Sequence, residues 1–175
     1  MLEQLSKIFR HKPAETFRDR DIEEIGVELK KSLSAVFGRS LAIREIDSGS
    51  DNATEIELTN LSTPYYDIER FGITFVASPR HADVLVVTGA VTHNMEIALR
   101  KTYEATPDPK LVIAVGDDAC TGGIWQGTYA VNGGVDRVIP VDVKIPGNPP
   151  SPKDIMLGLL ALMKKLRKGP NNYAF

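Results

Sequence analysis

Asp51, Thr54, Asp117, Asp118 and Asn148 are the residues of this chain whose types invite chemistry, and all stand in loops rich in glycine or small polar residues. The loops read DSGSDNATEIEL (47–58), GDDACTGG (116–123) and KIPGNPP (144–150). Carboxylates are hard oxygen donors, so Asp51, Asp117 and Asp118 brought together would suit Mg2+ or Ca2+. The same residues also have local uses. Asp51 and Asp118 can accept backbone N–H groups where helices start. Thr54-Glu55-Ile56-Glu57 fits a capping box, with Thr54 as the cap and Glu57 reaching back. Asn148, between Gly and Pro, suits a turn. Soft-metal chemistry has little to draw on. The single cysteine, Cys120, rules out an intrachain disulfide and a multi-cysteine metal centre.

Those loops meet only if the secondary structure brings them together. Strand patterns fall at LAIREI (41–46), ITFVAS (73–78), DVLVVTG (83–89), LVIAVG (111–116) and RVIPVDV (137–143), where Pro140 points to an edge. The continuous apolar run at 111–115 suits a strand covered on both faces. Helical spacing of Ile22, Ile25, Leu29, Leu33 and Val36 predicts a helix over 19–37, stopped by Gly38. Further helices are expected at 92–104 and 152–167, the last begun by Ser151-Pro152. Alternating strands and helices predict an α/β domain with a mainly parallel sheet and helices on both faces. The three polar loops all follow strands, so they should share the carboxyl edge of the sheet, where open α/β sheets bind ligands.

Length and composition agree with one domain. The chain has 175 residues, 42% of them apolar and 25% charged, with a net charge of −2. That balance gives no field for nucleic acid or an anionic membrane. The longest apolar run, 155–163, is too short to span a bilayer, and the N-terminal residues lack the apolar stretch of an export signal. The organisation expected is an N-terminal docking arm at 1–18, a single domain at 19–168 and a loose tail at 169–175. The arm is proposed from Leu2, Leu5, Ile8 and Phe9 on one helical face. No Walker A or GxGxxG motif supports nucleotide binding. His81 and His93 stand singly, without metal-ligand spacing, and Trp125 and Tyr129 suit either a partner face or the domain's own edge.

From about Ile43 to Leu166 the chain resembles the small, cluster-carrying subunit of respiratory complex I and of membrane-bound, energy-converting nickel–iron hydrogenases, more the hydrogenase branch than complex I. The stretches that carry the likeness are SGSDNATEIEL, TPYYDIERFGI, SPRHADVLVVTG, AVGDDACTGG and VIPVDVKIPGNPPSP. The resemblance implies a flavodoxin-like fold and a subunit seated between a large catalytic subunit and a membrane arm, on the cytoplasmic face and peripheral to the membrane. In that family four cysteines hold one 4Fe-4S cluster. Their positions fall here on Asp51, Thr54, Asp118 and Asn148, and Cys120 lies two residues past the third. The resemblance also assigns Tyr65, Asp67, Arg70, Phe71 and Arg80 to the partner or quinone side, where Arg80 would pair with Asp51 or Asp118, or else make an ordinary surface pair.

Cluster iron is held by thiolates, and a hydroxyl or a neutral amide is a weak substitute. No cluster is therefore expected, and polar side chains, water or an ion would fill the vacated volume. The function expected is a structural or coupling subunit of such an oxidoreductase complex, not catalytic alone. The alternatives are an electron-transfer subunit that keeps a 4Fe-4S cluster on unusual ligands, and a free-standing α/β protein binding a divalent cation or small ligand in the old pocket.

Overall fold

Val84–Thr88 and Leu111–Val115 are buried along their whole length, so these strands have protein on both faces. In the computed structural model, which describes residues 19–168, they form the centre of a five-stranded sheet. The expected arm at 1–18 and tail at 169–175 lie outside the described residues. The main elements are α1 (Arg20–Val36), β1 (Leu41–Asp47), α2 (Ala53–Asn60), β2 (Ile73–Phe75), β3 (Val84–Thr88), β4 (Val91–Thr92), α3 (His93–Ala105), β5 (Leu111–Val115), α4 (Asp117–Thr121), β6 (Val131–Gly133), β7 (Val143–Ile145) and α5 (Pro152–Lys168).

The sheet order is β2-β1-β3-β5-β7 and every pairing in it is parallel. This is the flavodoxin-like order, whose switch point lies between β1 and β3. Alternate side chains feed two cores. Val84, Val86, Leu111 and Ile113 pack with Leu29 and Leu33 of α1 and Met156 and Leu160 of α5. Leu85, Val87, Val112 and Ala114 pack with Leu99 of α3 and with Val135 and Val138. Helices therefore cover both faces, as the strand–helix alternation predicts.

Helix ends follow local chemistry. Asp19 caps α1 by accepting the Asp21 N–H at 3.0 Å, and Gly38 at φ +66° ends it. Thr92 caps α3 through the Met95 N–H. Ser151 and Asp154 at the start of α5 bond reciprocally, Ser151 N–H to Asp154 at 3.2 Å and Asp154 N–H to Ser151 at 3.3 Å, which is a capping box.

Two expectations change, and one element is new. The strand expected at 73–78 is paired only over Ile73–Phe75. The strand expected at 137–143 is instead a 3-10 turn at Val135–Arg137 and a loop, and the edge strand β7 begins only at Val143. Pro140 has no N–H for a ladder, and Asp142 replaces one rung by accepting the Val112 N–H at 2.8 Å with its carboxylate. A two-stranded antiparallel β4–β6 pair joins the chain after β3 to the 130s loop and has no counterpart in the sequence reading.

The central strands set stability. Ile113→Ala, at a side chain that is 0% exposed, should cost about 2–5 kcal/mol through lost burial and a residual cavity. Ile97→Ala, at a side chain that is 64% exposed, should stay within about 0.5 kcal/mol. Urea unfolding monitored by circular dichroism measures both.

Candidate functional site

Loops after β1, β3, β5 and β7 gather at the carboxyl edge of the sheet, stitched in two pairs. Ser48 joins the first pair: its N–H and its hydroxyl both donate to the Thr88 carbonyl, at 3.0 and 2.6 Å, and its own carbonyl accepts the Thr92 N–H at 3.0 Å. The second pair is closed by Asp117 and Gly147. Asp117 N–H donates to the Gly147 carbonyl at 2.8 Å, and Gly147 N–H returns a bond to the Asp117 carboxylate at 2.9 Å. Thr54 bridges the two pairs. Gly116 holds φ +92°, and a Cβ added there would sit 2.7 Å from Thr54 Oγ1. Only glycine lets α2 come this close.

The loop before α2 supports itself. Asp47 accepts the N–H groups of Gly49 and Ser50 at 2.7 and 2.8 Å, Ser50 accepts that of Asn52 at 2.8 Å, and Asp51 accepts that of Ala53 at 3.0 Å. Each is a side-chain oxygen reaching two or three residues on, as Asx and Ser turns do. Asn52 then sits at φ +72° and starts the helix without a side-chain cap. The capping box expected from Thr54 and Glu57 does not form. The helix begins one residue before Thr54, whose side chain faces Gly116, while Glu57 accepts from Asn60 at 3.3 Å.

Of the residues matching the cluster positions, Thr54 is buried, Asp118 half-buried, and Asp51 and Asn148 exposed. All four stand on the carboxyl edge. Burial pushes the Asp118 carboxyl up from its ordinary value, Asp51 adds to the shift, and a hydrogen bond from Trp125 opposes it. Gly123, at φ +52°, leaves the room that Asp118 occupies. Asp51 serves the helix start as expected, whereas no described backbone N–H bonds the Asp118 carboxylate. Cys120 is buried beneath, 3.6 Å from the Ala114 carbonyl, and burial pushes its thiol up to about 11. Among the described residues no group of three or more His, Cys, Asp or Glu is arranged to hold a metal ion, so the expected trio of Asp51, Asp117 and Asp118 does not form a metal site. The donor set fits a 4Fe-4S cluster poorly: carboxylate, hydroxyl and amide stand where soft thiolates are required.

Arg80 does not reach this site. It lies in the 3-10 turn Pro79–His81 leading into β3, at the amino edge, so the pairing expected with Asp51 or Asp118 is absent. Tyr65, Asp67, Arg70 and Phe71 follow α2 and line up along α1. Tyr65 donates to Asp19 at 3.3 Å, and Arg70 pairs with Glu23 at 2.8 Å while lying over the Phe71 ring. Asp67 stands 4.0 Å from Arg70, and Phe71 packs on the bare Gly26. Of this stretch only Tyr65 is an exposed large apolar side chain. Ile124, Trp125 and Tyr129, on the chain after α4, are further exposed large apolar side chains.

The sequence reading missed Glu45 and Glu55. Both carboxylate oxygens of Glu55 are buried without a hydrogen-bond partner among the described residues. Burial, and then Glu55, raise the Glu45 carboxyl above its ordinary value. The available signal was strand alternation, which puts Glu45 on the same face of β1 as Leu41 and Ile43.

Two outcomes follow. Gly116→Ala should destabilise by about 1–3 kcal/mol through its left-handed φ and the contact with Thr54. Thr54→Ala in the same chain should remove the contact part, giving a coupling of about 0.5–3 kcal/mol in a double-mutant cycle. For Asp118, the folded chain holds the proton more tightly than the unfolded chain. Its ionisation therefore costs stability as pH rises out of the ordinary aspartate range, and costs nothing below it. Asp118→Asn should unfold at higher urea than the parent at neutral pH, and that advantage should vanish in acid.

The comparisons agree with this fold. The family model described as the 20 Kd subunit of NADH ubiquinone oxidoreductase matches residues 52–162. A probable membrane-bound hydrogenase subunit of Pyrococcus furiosus is 45% identical over 136 residues, covering 78% of this chain and 81% of that protein. Formate hydrogenlyase subunit 7 of Escherichia coli is 42% identical over 137 residues, covering 78% of this chain and 54% of that longer protein. Among solved structures, a chain of the membrane-bound sulfane sulfur reductase, an archaeal respiratory membrane complex, superposes with a TM-score of 0.67 at 36% identity, covering 81% of this chain and 77% of the other. The NiFeSe hydrogenase of Desulfovibrio vulgaris Hildenborough shares the fold, at a TM-score of 0.52 and 17% identity, over 76% of this chain and 62% of that one. On the family match and these identities, the chain belongs to the family of the complex I 20 Kd subunit and the nickel–iron hydrogenase small subunit.

Proposed function

We propose that this chain is a coupling subunit of a membrane-bound, hydrogenase-like or complex I-like oxidoreductase assembly, and that it works without a 4Fe-4S cluster of its own. The relatives named above, from membrane-bound hydrogenase, formate hydrogenlyase and sulfane sulfur reductase, support the assembly. The observation that carries the second half is the engagement of the substituted positions. Asp51 ties its own loop, Thr54 packs on Gly116, and Asp118 fills the room that Gly123 leaves. These side chains serve the protein's own structure, and neither the hydroxyl nor the amide is a competent donor to cluster iron.

The role left to such a subunit is mechanical and positional. Ile124 is 77% exposed, Trp125 44% and Tyr129 97%, all on the chain that follows α4. Apolar side chains gathered on a loop mark a surface that a partner covers. A large subunit of the assembly docks there, and the opposite side addresses the membrane arm. No helix among the described residues is long and apolar enough to cross a membrane. In this reading the other subunits of the assembly attach the chain, which sits at the cytoplasmic face.

The test is metal content. Chain produced and purified without oxygen should be colourless, with iron and acid-labile sulfide far below one cluster per chain. The variant Asp51→Cys, Thr54→Cys, Asp118→Cys and Asn148→Cys combined should turn brown and take up iron and sulfide on reconstitution, because the scaffold keeps the four positions on one edge. Stoichiometric iron and sulfide in the unmodified chain would return it to electron transfer.

A further inference from the structure

The amino edge of the sheet, opposite the substituted loops, carries a second concavity of about 440 Å3. It is lined by Arg39, Arg80, His81, Asp83 and Asp108, with Pro107 and Pro109 as stiff walls. The acids here are already engaged. Asp83 accepts two bonds from Arg39, at 2.9 and 2.6 Å, and one from the Ala42 N–H at 2.9 Å. Asp108 pairs with Lys110 at 3.2 Å. The guanidinium of Arg80 is not balanced. Arg80 and His81 are both exposed, and among the described residues neither side chain has a hydrogen-bond or ion-pair partner. Their own turn is capped by Ser78, which takes the Arg80 N–H on its hydroxyl at 3.4 Å and the His81 N–H on its carbonyl at 3.1 Å.

We infer that this amino-edge concavity binds a phosphate-type oxyanion, with Arg80 as the main ligand and His81 and the outer N–H groups of Arg39 completing the contact. The guanidinium of Arg80 presents a planar fork of donors that matches phosphate oxygens in pairs. Arg39 is pre-oriented, because Asp83 is itself fixed by a backbone N–H. Pre-orientation lowers the entropy lost on binding. The volume holds a phosphate with a small organic group attached, such as a phosphomonoester or a lipid headgroup. The inference is independent of whether the other edge holds a cluster.

The full-length chain is titrated with inorganic phosphate and glycerol 3-phosphate, following the side-chain N–H signals of Arg39 and Arg80 and the amide of His81 by NMR. In parallel it is floated with vesicles of phosphatidylcholine, with and without phosphatidylglycerol. Saturable shifts at these three residues, weakened about ten-fold or more by Arg80→Ala, support the site with a soluble ligand. Vesicle binding that needs phosphatidylglycerol and is lost in Arg80→Ala, without a response to the soluble phosphates, supports a headgroup as the source. Arg80→Ala should melt at the parent temperature, because the side chain has no described partner to lose. Arg80→Lys should bind between the two, keeping the charge and losing the fork. Absence of a saturable response to every probe, or a response unchanged in Arg80→Ala, overturns the inference.

Discussion

The reciprocal hydrogen bonds between Asp117 and Gly147 are the constraint on which the carboxyl edge depends. β7 is a three-residue edge strand, and alone it would be weakly held. The bond from Gly116 N–H to the Ile145 carbonyl at 2.8 Å continues its pairing, and the Asp117–Gly147 exchange then locks the loop beyond it. Gly147 stands at φ +142°, and a Cβ there would meet Pro150 at 2.6 Å, so the turn back into α5 requires glycine. With that turn held, α5 starts in the right place to pack on α1, and Lys153 reaches Asp21 at 2.9 Å. The large core between these helices and the sheet thus rests on the loop at 144–150.

That dependence explains how the edge tolerates the change of residue type. A metal centre orders its loops by bonding to them. Here the first loop is ordered by Asp47, Ser50 and Asp51 closing successive turns, and the last two by Asp117. Asp51 and Asp118 put negative charge on this edge, and as hard oxygen donors they suit soft metal poorly. Holding carboxylates here carries a cost: burial first, and negative neighbours second, raise the Asp118 and Glu45 carboxyls above their ordinary values. Exposure of Asp51 to solvent limits it.

Much of this was legible in the chain. The parallel sheet followed from strand–helix alternation, and the double burial of β5 from its unbroken apolar run. The convergence of residues 51, 54, 118 and 148 followed from topology, since each comes after a strand. What stayed hidden depended on contacts between distant segments. Asp142 lending a carboxylate to Val112 is a tertiary substitution for a ladder bond, so the 137–143 run looked like strand. Thr54 fits a capping box by spacing, yet the left-handed Asn52 moves the helix start and turns the hydroxyl towards Gly116. Arg80 was drawn to the wrong edge because the family likeness gives a residue's company in sequence, and only its place before β3 gives its edge.

The two edges differ in how their charges are used, and this separates their roles. At the carboxyl edge three loop carboxylates are engaged by backbone amides: Asp47 and Asp51 in their own turns, and Asp117 at Gly147. That edge is built for shape, and its exposed Ile124, Trp125 and Tyr129 add a surface that water wets poorly. At the amino edge the acids are matched and the guanidinium of Arg80 is left over, with the His81 side chain beside it. Unmatched charge on a rigid frame keeps its hydration until an opposite charge arrives, whereas a closed hydrogen-bond network has nothing further to offer one. A subunit organised in this way can be gripped by a partner at one end of its strands and answer an anion at the other, with the buried strands β3 and β5 as the stiff connection between them.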